Sequence, residues 1–308
     1  MTTTPHHPDP SAATTSPGVE TVDVEPIAVV AEVESAPHTR RVPPGSWRLA
    51  PALALVALAV VGPWLVPHSA TEVVASPAIA PGGDHWFGTD SSGLDVFSRV
   101  LAATRNDIVI AIAVTVVSTV TGIFGGLLIG MNESRAGLVG WAARISARVL
   151  DLVQSVPAVV VALTLVAFFG TSLWSMSIAL AAILAPNQAR LVRTEVLQVR
   201  TEAYLDAARM SGQTELGLTV RHVLPNSSWP ALENATVVFG AAILLTSTLG
   251  FLGVGLQPPT PEWGSMISTG ASDAAVGRWW SALFPAAAIV VAVAAVAMAG
   301  QLLFGRRR

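Results

Sequence analysis

The chain has no cysteine and no lysine, and charged residues make up only 12% of its 308 residues. Without cysteine it can form neither disulfides nor thiolate metal sites. Without lysine it cannot build a P-loop, whose lysine must reach the β- and γ-phosphates of a nucleotide. Soluble domains carry about 25% charged residues, whereas this chain is 52% apolar. The composition therefore predicts a protein whose solvent is largely lipid, and any ATP it depends on must be hydrolysed by a partner.

Six apolar runs are long enough, or nearly so, to cross a bilayer as helices, which takes about 20 residues each. They cover residues 50–66, 108–131, 150–170, 173–185, 235–256 and 283–304. Pro63 interrupts the first run, and Pro157 lies near the start of the third. The longest later connections are 186–230 and 257–281, and a run of proline and glycine disfavours helix in the second of these. We predict an all-α, polytopic membrane protein with six transmembrane helices.

Arginine positions set the orientation of these spans, because basic residues accumulate on the cytoplasmic side. If the N-terminus is inside, only Arg99, Arg105 and Arg278 of the 17 arginines lie outside. The others would be cytoplasmic: Arg40, Arg41, Arg48, Arg135, Arg144, Arg148, Arg190, Arg193, Arg200, Arg209, Arg221, Arg306, Arg307 and Arg308. We therefore predict that both termini are cytoplasmic.

The ends of the chain differ from its middle. Residues 1–46 are rich in Thr, Pro, Ser and acidic residues and contain no Phe, Trp or Tyr, which predicts a disordered cytoplasmic tail. This start does not resemble a signal peptide, which needs a basic stretch followed by an apolar one. We expect residues 47–107 to form the first span and an external loop, 108–304 to form the transmembrane domain, and 305–308 to form a basic tail.

Gly122, Gly126 and Gly130 recur every four residues in the second run and so share one helix face. Small residues at this spacing let another helix approach closely. We predict that these three glycines are helix-packing residues.

The segment 200–226 predicts a short helix that has Thr201 as its N-cap and that Gly212 ends. Thr214 can start a second short helix, which we expect Pro225 to end.

Alanines one turn apart give the first of these helices a small-residue face, and Tyr204, Leu205 and Met210 add apolar anchors. Such a helix can dock in a shallow groove of another protein. It can equally lie on a lipid surface. Residue types alone leave both alternatives open.

The segment 200–226 also resembles a motif of a known protein family. Asp-Ala-Ala at 206–208, then Gly212, then Leu-Pro at 224–225 resembles the EAA loop of bacterial binding-protein-dependent ABC importers, the coupling helix that docks on an ATPase subunit. Asp206 stands where glutamate is usual and His222 where isoleucine is, although Arg-His-Val-Leu-Pro-Asn is similar to the form typical of the peptide and nickel branch. The implied coupling residues are Glu202, Ala203, Asp206, Ala207, Ala208, Arg209, Gly212, Leu224 and Pro225.

Three further motifs resemble the dipeptide and oligopeptide "C" permeases of that branch. The runs at 87–90 and 93–95 are similar to LGTDxxGRD, the run at 249–255 to LSFLGLG, and the run at 257–264 to QPPTPxWG. The external motif residues are Gly88, Thr89, Asp90, Asp95, Pro258, Pro259, Trp263 and Gly264.

The resemblance covers about residues 48–304, with Leu94 in place of the usual arginine and Gly250 in place of serine. It implies the type I ABC importer permease fold, in the bacterial cytoplasmic (inner) membrane, and import of di- or oligopeptides. The implied partners are a second homologous permease of the "B" type, two ABC ATPase subunits, an external substrate-binding lipoprotein and membrane lipid. No cofactor is expected on this chain, since ATP and Mg²⁺ would bind to the ATPases. Nickel or another small solute stays an alternative substrate.

Other function classes find little support in the sequence. The histidines are His6, His7, His38, His68, His85 and His222, and no two have the spacing of a helical metal pair, so we predict no metal site and no catalytic residue. The arginines follow membrane topology rather than a basic stripe, which argues against nucleic-acid binding. A secondary transporter would bury charge near the bilayer centre, whereas Asp107, Asp151 and Glu233 fall at predicted span ends, where we expect them to be interfacial caps.

Overall fold

The computed structural model describes residues 49–304, which belong to one compact unit whose regular elements are helices. They are α1 Ala50–Val61, α2 Val96–Asn132, α3 Gly137–Val153, α4 Ala158–Phe169, α5 Leu173–Val199, α6 Ala203–Met210, α7 Glu215–Leu218, α8 Leu224–Phe251, α9 Trp263–Ala274 and α10 Trp280–Phe304. A short 3₁₀ turn follows α1, and a π-turn at Thr219–Val223 joins α7 to α8. The expected tails at 1–46 and 305–308, with their five arginines, lie outside the described residues.

Three helical stretches are long and apolar enough to cross a bilayer: α2, the continuous run Glu215–Phe251 and α10. A fourth span results if α3 and α4 count as one, although they bend by 99° at their break. The run predicted at 150–170 is therefore not one straight helix, because Pro157 disfavours a helical conformation for the residue before it. The helix α1 is short, and α5 is longer than the run predicted at 173–185.

The connection predicted at 186–230 is mostly helical, which corrects the sequence prediction. Helix α5 continues through Pro186 to Val199, and α8 already begins at Leu224. Pro225 does not end a helix but lies in the first turn of α8. Proline is tolerated there because the first backbone N–H groups of a helix have no intrahelical acceptor.

The connection predicted at 257–281 also contains a helix that the sequence did not predict. Its proline-rich start and residues 275–279 are irregular, and α9 begins at Trp263 within the run expected to resist helix. Glu262 caps α9, because its side chain accepts a hydrogen bond from Gly264 N at 3.1 Å. The backbone of α9 comes close to that of α10 at Gly270, where an added Cβ would lie 2.6 Å from Ala282 N.

Helix α2 is the centre of the fold and packs most extensively on α5. The backbone of α2 approaches α5 closely at Gly122, Gly126 and Gly130, where an added Cβ would collide with Gln188, Ala189 or Val196. These glycines are buried, so this face of α2 is used inside the chain.

A buried polar cluster ties α2, α5 and α8 together at mid-helix. Gln188 is fully buried and donates to Thr119 Oγ1 at 2.9 Å and to Ala231 O at 3.1 Å. Asn234 donates to Gln188 Oε1 at 3.1 Å. An amide with these partners can be buried at little cost and fixes the three helices in one register.

Candidate functional site: the helical segment at 200–226

Helix α6 has the polarity that its dipole favours, with Asp206 in the first turn and Arg209 in the last. Its N-cap is Glu202 rather than the expected Thr201, whose hydroxyl instead donates to Gln198 O at the end of α5. Gly212 ends the helix, with a φ of 85° that glycine adopts without strain.

The end of α6 is a Schellman motif. Gly212 N donates to Arg209 O at 3.0 Å, and Gln213 N donates to Ala208 O at 3.3 Å. Thr214 then caps α7 by accepting from Gly217 N at 3.2 Å. The chain therefore turns sharply between two short helices.

Arg209 holds the two short helices together. Its guanidinium donates to Asp206 Oδ1 at 2.7 Å and to Glu215 Oε1 at 3.0 Å. Since Asp206 lies in α6 and Glu215 in α7, the carboxylate that replaces the family's usual glutamate takes part in this bridge.

The inner face of the segment is anchored in a small apolar core. Leu205 of α6, Leu218 of α7 and Val223 of the π-turn are each 1% exposed. They pack with apolar residues of three long helices: Leu127, Met131, Val192, Val196 and Ala231. A displacement of α6 must therefore move α2, α5 or α8, since packed cores transmit strain.

Polar contacts reinforce this anchoring. Arg200 donates to Gly130 O at 2.8 Å, which joins the end of α5 to the end of α2. Arg193 of α5 forms a bidentate pair with Glu133, through two bonds of 2.7 Å. The hydrogen bonds from Arg193 lower the pKa of Glu133, so the pair stays charged at neutral pH.

The outer face of the segment is apolar and exposed. Met210 is 86% exposed, Leu216 75% and Val220 56%, and Ala203 and Ala207 are exposed beside them. Ala208 is half-buried on the side of Leu205, Leu224 packs against the same core, and Pro225 is exposed. An apolar patch on a rigidly held helix pair suits docking of a partner.

The external motif residues gather at the opposite, N-terminal end of α2. Asp95 is the N-cap of α2 and accepts from Ser98 N at 2.8 Å. Asp90 pairs with Arg99 at 3.3 Å, and Gly88 has a φ of 74°. The buried Thr89 hydroxyl donates to Ser76 O at 2.9 Å. The residues of this motif therefore hold the loop in its conformation, and Leu94 lies half-buried in the turn of the motif.

The second external motif is pinned to the same end of α2. Asn106 donates to Pro261 O at 2.9 Å, and Trp263 N donates to Asp107 Oδ2 at 3.0 Å. Pro258 and Pro259, joined by a cis peptide bond, lie before this contact. Gly264 touches the backbone of Ser247, which brings α9 against α8.

Glu262 was not among the predicted site residues, and Asp107 was predicted to be an interfacial cap at a span end. Both are buried, with exposures of 0% and 1%. Glu262 Oε2 and Asp107 Oδ1 have no hydrogen-bond partner within residues 49–304. An added Cβ at Gly250 would collide with the Glu262 carboxylate, so glycine fits at this position.

Comparison with known proteins agrees with this architecture. The family model described as binding-protein-dependent transport system inner membrane component matches residues 122–308, more than half of the chain. A probable D,D-dipeptide transport system permease protein of Escherichia coli K12 is 34% identical over 77% of this chain and 78% of its own length. This chain belongs to the family of inner membrane components of binding-protein-dependent transport systems.

Other relatives of the permease carry similar names. A di/tripeptide transport system permease protein of Pseudomonas aeruginosa is 34% identical, over 81% of this chain and 82% of its own. A glutathione transport system permease protein of Pectobacterium atrosepticum is 34% identical, over 81% of each chain. The permease is thus a multi-pass protein of the inner membrane and one component of an ABC import system, which implies a binding protein and an ATPase as its partners.

Proposed function

We propose that this chain is a transmembrane subunit of an ATP-driven peptide importer, and that α6 and α7 form the surface on which a separate ATPase docks. The observation that carries the proposal is the two-sided segment at 200–226. Its inner face is anchored to three long helices, whereas its outer face presents Met210, Leu216 and Val220 to solvent. A lipid-lying helix would need no such anchoring.

Closure of the ATPases around ATP would press on α6 as a lever. Leu205, together with the Arg193–Glu133 pair, would pass this movement to α2 and α5. The transmembrane helices would then alternate between inward-open and outward-open states. Because only differential affinity shifts a population, ATP must favour one of these states. ATP and Mg²⁺ would bind entirely on the ATPase subunits.

Six spans with both termini in the cytoplasm fit this arrangement. Besides the three long apolar stretches, the broken pair α3–α4, helix α5 and the short α1 would supply the others. A second permease of the "B" type would complete the pathway. An open apolar cavity of about 700 Å³ between α8 and α10 offers a surface for it, with Val237, Leu244 and Val293 among its lining residues.

The peptide substrate is inferred from relatives whose names include dipeptides, di/tripeptides and glutathione. The external binding protein would deliver the peptide. Import of a nickel chelate or another small solute is the alternative. Uptake of labelled dipeptides, longer peptides and nickel by cells with the complete transporter separates these. Uptake of nickel without uptake of any peptide would refute the peptide assignment.

The docking role is tested at Met210, whose side chain is 86% exposed. We expect Met210→Glu to reduce peptide uptake and co-purification of the ATPase by at least about tenfold, because it places a charge in an apolar interface. Met210→Leu is the matched control and should retain both peptide uptake and co-purification of the ATPase.

Ala207→Glu should act like Met210→Glu. Ala208→Glu and Gly212→Asp should also uncouple transport, although the half-burial of Ala208 and the positive φ of Gly212 add structural effects. Wild-type uptake by Met210→Glu and Ala207→Glu would show that this surface does not dock the ATPase.

A further inference from the structure

Two histidines that are 17 positions apart in sequence meet at the N-terminal end of α2, although sequence analysis predicted no metal site. Nδ1 of His85 lies 2.9 Å from Asp95 Oδ1, and Nδ1 of His68 lies 4.0 Å from Asp95 Oδ2. The two imidazole rings are 4.7 Å apart between centroids. One ligand atom from each of the three residues lies within 4.8 Å of the other two.

The cluster has a polar atom that the protein alone leaves unsatisfied. His68 Nδ1 is buried and has no hydrogen-bond partner in the part of the chain that the structure describes. A buried polar atom without a partner costs free energy. An ion between the two rings and the carboxylate would give this nitrogen a partner.

The three ligands are held by backbone contacts. His85 exchanges two backbone hydrogen bonds with Gly82, at 2.9 and 3.0 Å. His68 N donates to Ser98 Oγ at 3.2 Å, and Asp95 is fixed by its capping bond to Ser98 N. The ligand backbones are therefore placed before any ion binds, which favours affinity.

We infer that His68, His85 and Asp95 form a binding site for a divalent transition metal ion of the Zn²⁺ class. Two imidazole nitrogens and one carboxylate oxygen suit Zn²⁺ rather than Mg²⁺ or Ca²⁺, which prefer oxygen ligands. Zn–N bonds of about 2.0–2.1 Å place tetrahedral ligand atoms about 3.3 Å apart. The ligand atoms, which lie within 4.8 Å of one another, would move together by up to about 1.5 Å to reach this spacing, and water would supply the fourth ligand.

Binding requires His85 to carry its proton on Nε2, so that the Nδ1 lone pair replaces the hydrogen bond to Asp95 with a bond to the metal. The ion would bind the loop that precedes α2, through His68 and His85, to the N-cap of α2, through Asp95. This loop also contacts α10, because Phe87 stacks on Phe284 at 3.8 Å and Trp280 donates to Thr89 O at 3.0 Å. The inference does not depend on the transported substrate.

The test uses the full-length chain in lipid nanodiscs, with a purification tag that contains no histidine. After chelator treatment it is titrated with Zn²⁺ and, separately, with Co²⁺. We expect one ion per chain, and His68→Ala and His85→Ala should each weaken binding at least about 100-fold, since even changes behind the ligands cost 10–100-fold. The double variant His6→Ala and His7→Ala is the control for the adjacent histidine pair of the tail and should keep full affinity.

His68→Cys gives a readout that a purely structural histidine would not move. Sγ and Nδ1 both lie close to Cβ, and thiolate is a good ligand for Zn²⁺ and Co²⁺. Since the chain has no other cysteine, a thiolate-to-Co²⁺ charge-transfer band would locate the ion at this position. Unchanged affinity in His68→Ala, or loss of binding only in the tail variant, would overturn the inference. Because His68 Nδ1 makes no hydrogen bond to residues 49–304, His68→Ala tests the site even if His85→Ala fails to fold.

Discussion

At the scale of single residues, two neighbouring glycines of α2 have different roles. Gly126 lies against α5, and an added Cβ there would collide with Ala189 O and lie 2.8 Å from Val192 Cβ. At Gly125, an added Cβ would meet only Ala189 Cβ among the described residues, at an ordinary 3.9 Å. The close approach of α2 and α5 therefore depends on one of these glycines and not on the other.

We expect Gly126→Ala to destabilise the permease by about 1–3 kcal/mol through overpacking. Gly125→Ala should be neutral or stabilise by about 0.5–1 kcal/mol, because glycine is unfavourable within a helix. Thermal unfolding in detergent or nanodiscs measures both. Equal effects of the two substitutions would mean that α2 and α5 do not pack through Gly126.

Glu262 is a further residue whose properties depend on the tertiary structure around it. It lies between α8 and α9, outside the three long apolar stretches, and burial raises its pKa from 4.5 to about 7. A carboxyl whose pKa is higher in the folded state prefers its protonated form there. Its contribution to stability is therefore fully present below pH 4.5 and is lost as the pH rises through 7.

We expect the apparent unfolding temperature of the wild-type chain to fall between pH 5 and pH 8. The corresponding loss is about 3 kcal/mol for this one group. Glu262→Gln should flatten this dependence, because glutamine stays neutral and can still accept the hydrogen bond from Gly264 N. Identical pH profiles for the variant and the wild-type chain would contradict the effect of burial on Glu262.

At the scale of elements, α6 has two faces with different roles. One face anchors the helix to the rest of the chain, and the other is the proposed docking surface for the ATPase. Leu205 is 1% exposed and packs on α7 and the long helices, whereas Met210, five residues on, is 86% exposed. The same helix can therefore be tested for structure and for partner binding independently.

We expect Leu205→Ala to destabilise the segment at 200–226 by about 2–5 kcal/mol, as for other buried leucines. Hydrogen exchange should accelerate in α6 and α7 before the rest of the chain. Met210→Ala should leave exchange unchanged and weaken only binding of the ATPase. Faster hydrogen exchange in Met210→Ala, or an unchanged rate in Leu205→Ala, would contradict the anchoring role of Leu205 and the docking role of Met210.

At the scale of the whole molecule, the two ends of α2 carry different assemblies. The N-terminal end holds the loop motifs, α9 and the histidine cluster, and the C-terminal end holds α6 and α7. The arginine distribution predicts that the first lies outside the cell and the second in the cytoplasm. Because the chain has no cysteine, single introduced cysteines can report the side directly.

We expect Asp84→Cys to react with a membrane-impermeant thiol reagent in right-side-out vesicles, since Asp84 is exposed in the loop that is predicted to be external. Gln213→Cys, equally exposed between α6 and α7, should react only in inside-out vesicles. Labelling of Gln213→Cys from outside would invert the topology and remove the docking role of α6.

Much of this protein follows from the sequence by itself. The sequence predicts that lipid is its solvent and that its spans are apolar helices. It also predicts the end of α6 at Gly212 and the start of α7 after Thr214. These features depend on local composition and spacing, so they can be predicted without knowledge of the fold. Helix boundaries were less predictable: α5 continues through Pro186, α8 begins before Pro225, and α9 begins at Trp263. In these places, packing against neighbouring helices and a capping side chain outweigh local propensity.

The tertiary structure alone decided which polar groups meet. Asp107 contacts the backbone of Trp263 across 156 positions, and Gln188 joins three helices. His68 and His85 become neighbours only because the loop folds back onto the first turn of α2. No local pattern encodes such pairs, because burial and long-range contacts arise from how the whole chain packs.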